Sequence, residues 1–181
     1  MTQKEFAHLL KDVVSESASI GEDLLFTLFN ARTPYGRRLI RERHIDLEHY
    51  QAILNQQEKR RMNQALYRMK QNEKVRVERQ GNKIILELEK AGEIDLLKRR
   101  IAENQEKLPV GHQCCVSFDI PEDVSLVRRK LSRLLREVGF RRRHQSYWYS
   151  EFDVAKDLAQ LLSLLHFKDW VFVVSGRTIQ P

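Results

Sequence analysis

The sequence predicts an α+β chain of two domains, and three observations predict it. The chain has 181 residues, more than one small domain needs and suited to two compact ones of roughly 80 residues each. Near residue 72 the apolar period changes from helical to alternating, the mark of a helix handing over to a hairpin. Beyond residue 111 the patterns run strand, helix, strand, strand, helix, strand. Hydrophobic residues make up 41% of the chain and charged residues 31%, so there are apolar side chains enough to bury a core.

The elements follow in order. A Thr2-Gln3-Lys4-Glu5 capping-box pattern precedes Phe6, Leu9, Leu10, Val13 and Val14 at helical spacing, so residues 1–18 are expected to hold an amphipathic leader helix that packs on its own domain or a second subunit. Ser19-Ile20-Gly21-Glu22 repeats the pattern ahead of Leu24, Leu25, Phe26, Leu28 and Phe29, and Thr33-Pro34-Tyr35-Gly36 ends that run. Two further helical patterns lie between Arg37 and Gln71, the second introduced by Asn55 with Glu58 three residues on and lined by Met62, Leu66 and Met69. Val75 and Val77 then alternate with Arg76 and Glu78, Gln80-Gly81-Asn82 turns, and Ile84, Leu86 and Leu88 return. That is a β-hairpin.

Residues 19–91 thus have the order of a winged helix-turn-helix, in which the last helix enters a major groove and the hairpin touches the adjacent backbone. Residues 92–111 read as a charged linker helix from Gly92 to Lys107 with Ile94, Leu97 and Ile101 on one side, ended by Leu108-Pro109-Val110-Gly111. Residues 112–181 supply strands at Cys114 to Phe118, around Phe140 to Ser150 and at Trp170 to Val174, with helices from Ser125 to Val138 and Val154 to His166. This βαββαβ order is that of a ferredoxin-like domain. Trp148, Phe167, Trp170 and Phe172 are expected in its core.

The formal net charge of +7 and a pI near 9.5 attract polyanions. No apolar run approaches the roughly 20 residues that span a bilayer. The polar start lacks the apolar core of a secretory signal, so a cytoplasmic protein with no membrane partner is expected. Cys114 and Cys115 are too few and too close for a disulfide framework or a zinc site and are expected as core residues.

The helix before the hairpin carries Lys59, Arg60, Asn63, Gln64, Tyr67, Arg68 and Gln71 on its polar side. Cations there, with Arg76, Arg79 and Lys83 on the hairpin, can neutralise phosphates, and the amide side chains can make the paired donor-acceptor contacts that read base edges. Double-stranded DNA is the expected partner. Arg141, Arg142, Arg143 and His144 form the densest positive run. They are either a second phosphate-binding surface or an edge strand charged against aggregation. His112, His144 and His166 lack metal-ligand spacing.

Val116-Ser117-Phe118-Asp119-Ile120-Pro121-Glu122, Arg128-Arg129-Lys130-Leu131, Gly139-Phe140 and Gln145-Ser146-Tyr147-Trp148 stand in order. Together they resemble the central domain of the PaaX-type transcriptional repressors of phenylacetate catabolism, which is itself similar to the small CRISPR-associated adaptation nuclease. The resemblance covers residues 113–174, and the winged helix before it matches the repressors' domain order. It implies a DNA-binding regulator that acts as a homodimer through its second domain and requires no cofactor. It also implies a rival. Asp119 matches the aspartate that in the nuclease-like family faces its dimer mate to hold a divalent metal, so Mg²⁺ or Mn²⁺ between two carboxylates would activate water against a phosphodiester. A CRISPR adaptation component that holds DNA without cutting it is a third reading. The residues alone leave another role open for Asp119, accepting backbone N–H bonds at the start of the next helix. The repressors continue into a third domain that this chain, ending at Pro181, is expected to lack, and with it goes any inference about acyl-coenzyme A effectors.

Overall fold

A computed structural model describes residues 44–46, 54–80, 83–121 and 124–177. The chain is α+β with two antiparallel sheets, and it divides into two compact units, Met1–Leu96 and Leu97–Pro181. The helices expected in residues 1–18 and 19–29, and the break at residues 33–36, lie outside the described residues.

In the first unit the described elements are β1 (His44–Asp46), α1 (Gln56–Gln71), β2 (Val75–Gln80) and β3 (Lys83–Leu88). α1 starts where the sequence places it, because its orphan amides are satisfied reciprocally. Glu58 N–H donates to Asn55 Oδ1 at 2.9 Å and Asn55 N–H donates to Glu58 Oε2 at 2.7 Å. Met62, Ala65, Leu66 and Met69 form the buried stripe. The helix ends at Asn72 and Glu73, and Lys74 N–H returns to Met69 O at 2.9 Å, so the chain turns at once into β2. Val75 pairs with Leu88 and Val77 with Leu86, setting Val75, Leu86 and Leu88 into the core. The turn expected at Gly81 and Asn82 lies outside the described residues.

β1 was not expected. It falls in a stretch read as helical, and three residues are too short for alternation to show. Its pairing with β3, which gives the order β1-β3-β2, is a long-range contact that local pattern does not encode.

The division between the units falls within α2 (Lys90–Ala102). Its N-terminal half needs Gly92, where a Cβ would run into the carbonyl oxygen of Lys74. α2 stops at Ala102, five residues before the expected end, because Asn104 competes for the backbone. Its side chain accepts from Glu106 N–H at 2.9 Å and donates to Asp153 O at 2.7 Å.

The second unit runs β4 (His112–Phe118), α3 (Ser125–Glu137), β5 (Arg141–His144), β6 (Tyr147–Ser150), α4 (Ala155–Leu164) and β7 (Val171–Arg177), the order of elements the sequence predicts. The sheet order is β5-β6-β4-β7. Alternation buries Cys114, Val116, Phe118 and Trp148 on one face, and Leu131, Leu134 and Leu135 of α3 with Leu158, Leu161 and Leu162 of α4 supply the rest of that core. The buried guanidinium of Arg100 reaches Asp157 at 3.0 Å and ties the end of α2 to α4. Among the described residues no helix is long and apolar enough to cross a membrane.

Candidate nucleic-acid interface

Helical spacing places Arg60, Asn63, Gln64, Tyr67, Arg68 and Gln71 in one stripe of α1, opposite the buried Met62, Leu66 and Met69. All six are exposed, as is the flanking Lys59, and Tyr67 leaves 64% of its surface free. The only acidic residue of α1, Glu58, is buried in the cap. The outward face therefore carries cations and amides with no carboxylate of its own helix to offset them.

The hairpin is less uniform. Arg76 lies 3.3 Å from Glu87 and 2.9 Å from Glu89, so two carboxylates of its own unit already match its charge. Arg79 stands opposite Ile84 and Lys83 opposite Gln80, at the last two rungs before the tip.

Arg141, Arg142, Arg143 and His144 form β5, the edge strand of the second sheet, and every one is exposed. Arg141 is 3.8 Å from Glu151, and Arg142 Nε donates to His144 O at 3.3 Å. The register shifts between Arg142 and His144, leaving Arg143 as the bulged residue. The sequence-predicted cations thus occupy a helix face and a hairpin in the first unit and a strand edge in the second.

Asp119 follows β4 directly and is exposed. Its backbone N–H donates to Trp170 O at 3.0 Å. Val124, the N-cap of α3, makes no side-chain cap bond, and residues 122 and 123, where the sequence left a capping role open for the Asp119 carboxylate, lie outside the described residues. Among the described residues no three His, Cys, Asp or Glu side chains come together to hold a metal. Asp119 supplies on one chain a single hard oxygen ligand, half of the pair that the resemblance implies.

Three expectations about the second core are corrected. Trp170, just before β7, is only partly buried. Phe172 is 68% exposed, and Cys115 is partly exposed on the other side of the sheet rather than buried with Cys114. For these two the cause is register. Phe172 pairs with Ser117 and Cys115 with Val174, both on the face opposite Val116 and Trp148. Cys115 Sγ accepts the Tyr147 hydroxyl at 2.9 Å, and this bond, with partial burial, raises the Tyr147 hydroxyl above its ordinary range. Burial pushes the Cys114 thiol up to about 12. Sequence reasoning missed the face formed by Tyr147, Tyr149, Phe172 and Val174. The alternation of Tyr-Trp-Tyr-Ser in β6 was the signal that could have found it.

Comparison of the chain with protein-family models and with curated protein sequences finds no match.

Proposed function

We propose that the chain is a DNA-binding transcriptional regulator of the repressor type, acting in the cytoplasm as a homodimer that lays two winged helices on duplex DNA. The observation that carries this reading is the carboxylate-free exposed stripe of α1, followed at once by the β2-β3 hairpin. The order β1-β3-β2 supports a wing, and β5-β6-β4-β7 supports a ferredoxin-like second domain. In this reading Lys59, Arg60 and Arg68 bind phosphates, Asn63, Gln64 and Gln71 read base edges, and Arg79 and Lys83 reach the flanking backbone. Among the described residues β7 pairs with β4 alone, which leaves its outer edge for a mate.

Fluorescence anisotropy on a selected duplex and a scrambled one tests the reading. Asn63→Ala or Gln64→Ala should lose roughly 1–3 kcal/mol on the selected site and little on the scrambled one. Arg60→Ala and Arg68→Ala should weaken both equally. If both arginine variants bind duplex like wild type, the reading helix is misassigned. The exposed Asp119 carboxylate at the end of β4 favours a second reading, a Mg²⁺- or Mn²⁺-dependent nuclease. Metal-dependent cleavage of duplex DNA that disappears in Asp119→Asn would establish that enzyme instead.

A further inference from the structure

On the face of the β5-β6-β4-β7 sheet opposite Val116 and Trp148, the residues fall into two rows across the four strands. Arg141, Tyr149, Cys115 and Val174 make the first row, and His144, Tyr147, Ser117 and Phe172 the second. Each row has a basic residue at the β5 edge, a tyrosine on β6, a small side chain on β4 and an exposed apolar residue on β7. Phe172 is 68% and Val174 60% exposed. Neighbouring strands are about 4.8 Å apart, so Tyr147 and Phe172 stand roughly 10 Å apart across the low floor of Ser117.

We propose that this face binds single-stranded nucleic acid, with bases lying on Tyr147, Tyr149 and Phe172 and the backbone following the basic edge of β5. Two requirements select that partner. The exposed Phe172 ring and the partly exposed rings of Tyr147 and Tyr149 offer flat apolar surface, and β5 offers Arg141, Arg142, Arg143 and His144 with no acidic residue among them. A polyanion that also presents free aromatic faces meets both, and every base has such a face. A duplex meets only the second, since its bases are stacked on one another. A second copy of this chain laid face to face would bring basic residues with it and offer no complementary charge.

The face is also organised in advance. The His144 ring stacks on Tyr147 with centroids 5.3 Å apart and planes at 26°, and Tyr147 is held from its other end by the bond to Cys115. The ion pair of Arg141 with Glu151 is long and exposed, a contact that a phosphate can replace. This inference stands on the second unit alone and does not need the reading of α1.

The test is anisotropy of the full chain on a labelled oligothymidylate of about 12 nucleotides and on an abasic strand of the same length. The thymidylate should bind about tenfold tighter, the scale of one or more stacked bases. Phe172→Ala, at an exposed position whose loss leaves the core intact, should remove most of that difference and leave duplex affinity unchanged. Arg141→Ala/Arg143→Ala should weaken both strands alike. Arg60→Ala/Arg68→Ala should leave single-strand binding intact, so failure of the duplex reading and failure of this one are told apart. Equal affinity for the thymidylate and abasic strands would overturn the proposal. So would a Phe172→Ala chain that binds the strand normally but changes its mass by light scattering, because a second copy would then own the face.

Discussion

Cys114 and Cys115 are adjacent in sequence and opposite in environment, because successive strand residues point to opposite faces. Cys114 is fully buried. Burial first, then the neighbouring Cys115 and Asp153, raise its thiol from 9.0 to about 12. Cys115 is partly exposed and bonded only to a hydroxyl. In the native protein at pH 8 one thiol per chain should therefore react with a thiol-directed reagent, and Cys115→Ser should abolish that reaction. Two fast thiols would show that the register of β4 is wrong. The thermodynamic consequence has a definite sign. The folded chain holds the Cys114 proton more tightly than the unfolded one, so this contribution is complete below pH 9 and is lost as pH rises toward 12. Its slope is at most about 1.4 kcal/mol per pH unit. Urea unfolding between pH 8 and 10.5 should show that loss, and Cys114→Ala should flatten it.

Three helices stop by the same device. Glu73, Gly139 and His166 have φ of 53°, 87° and 62°, and the amide after each returns to a carbonyl five residues back, Lys74 to Met69, Phe140 to Leu135 and Phe167 to Leu162, each at 2.9 Å. Glycine adopts this conformation freely, whereas Glu73 carries a Cβ into it. Glu73→Gly should raise stability by about 0.5–1 kcal/mol, read as a higher Tm in thermal unfolding, and a lower Tm would refute the account of the cap. His166 makes other interactions, so its substitution is less clean. Such local devices explain what was legible. The Asn55–Glu58 box, the hairpin pattern and all six elements of the second unit are written in adjacent residues. What was not legible depends on distant partners. β1 exists by pairing with β3, α2 ends early through Asn104 and Asp153, and Phe172 looks like a core residue until its register with Ser117 turns it outward. The cations of the candidate interface were legible as a set, but not that Glu87 and Glu89 hold Arg76.

The chain carries 32 Lys and Arg against 25 Asp and Glu, a modest excess, so attraction for polyanions depends on where acids are absent rather than on the total. They are absent from the exposed stripe of α1 and from β5. A homodimer would double the first of these surfaces on one duplex, and this has a measurable consequence. If Lys59, Arg60 and Arg68 of each copy displace one counterion apiece, the logarithm of duplex affinity should fall with the logarithm of salt at a slope of about −5, against about −3 for a single copy. Light scattering at tens of micromolar should give twice the 21.5 kDa of one chain. The two measurements constrain each other. A monomer with the shallow slope would leave α1 as a reader but remove the two-fold arrangement. A dimer with the shallow slope would mean that only one of its helices meets DNA, and then inserting about 5 base pairs between half-sites, half a helical turn, should cost no affinity. The homodimeric regulator requires the larger mass, the steeper slope and a loss of affinity on that insertion together.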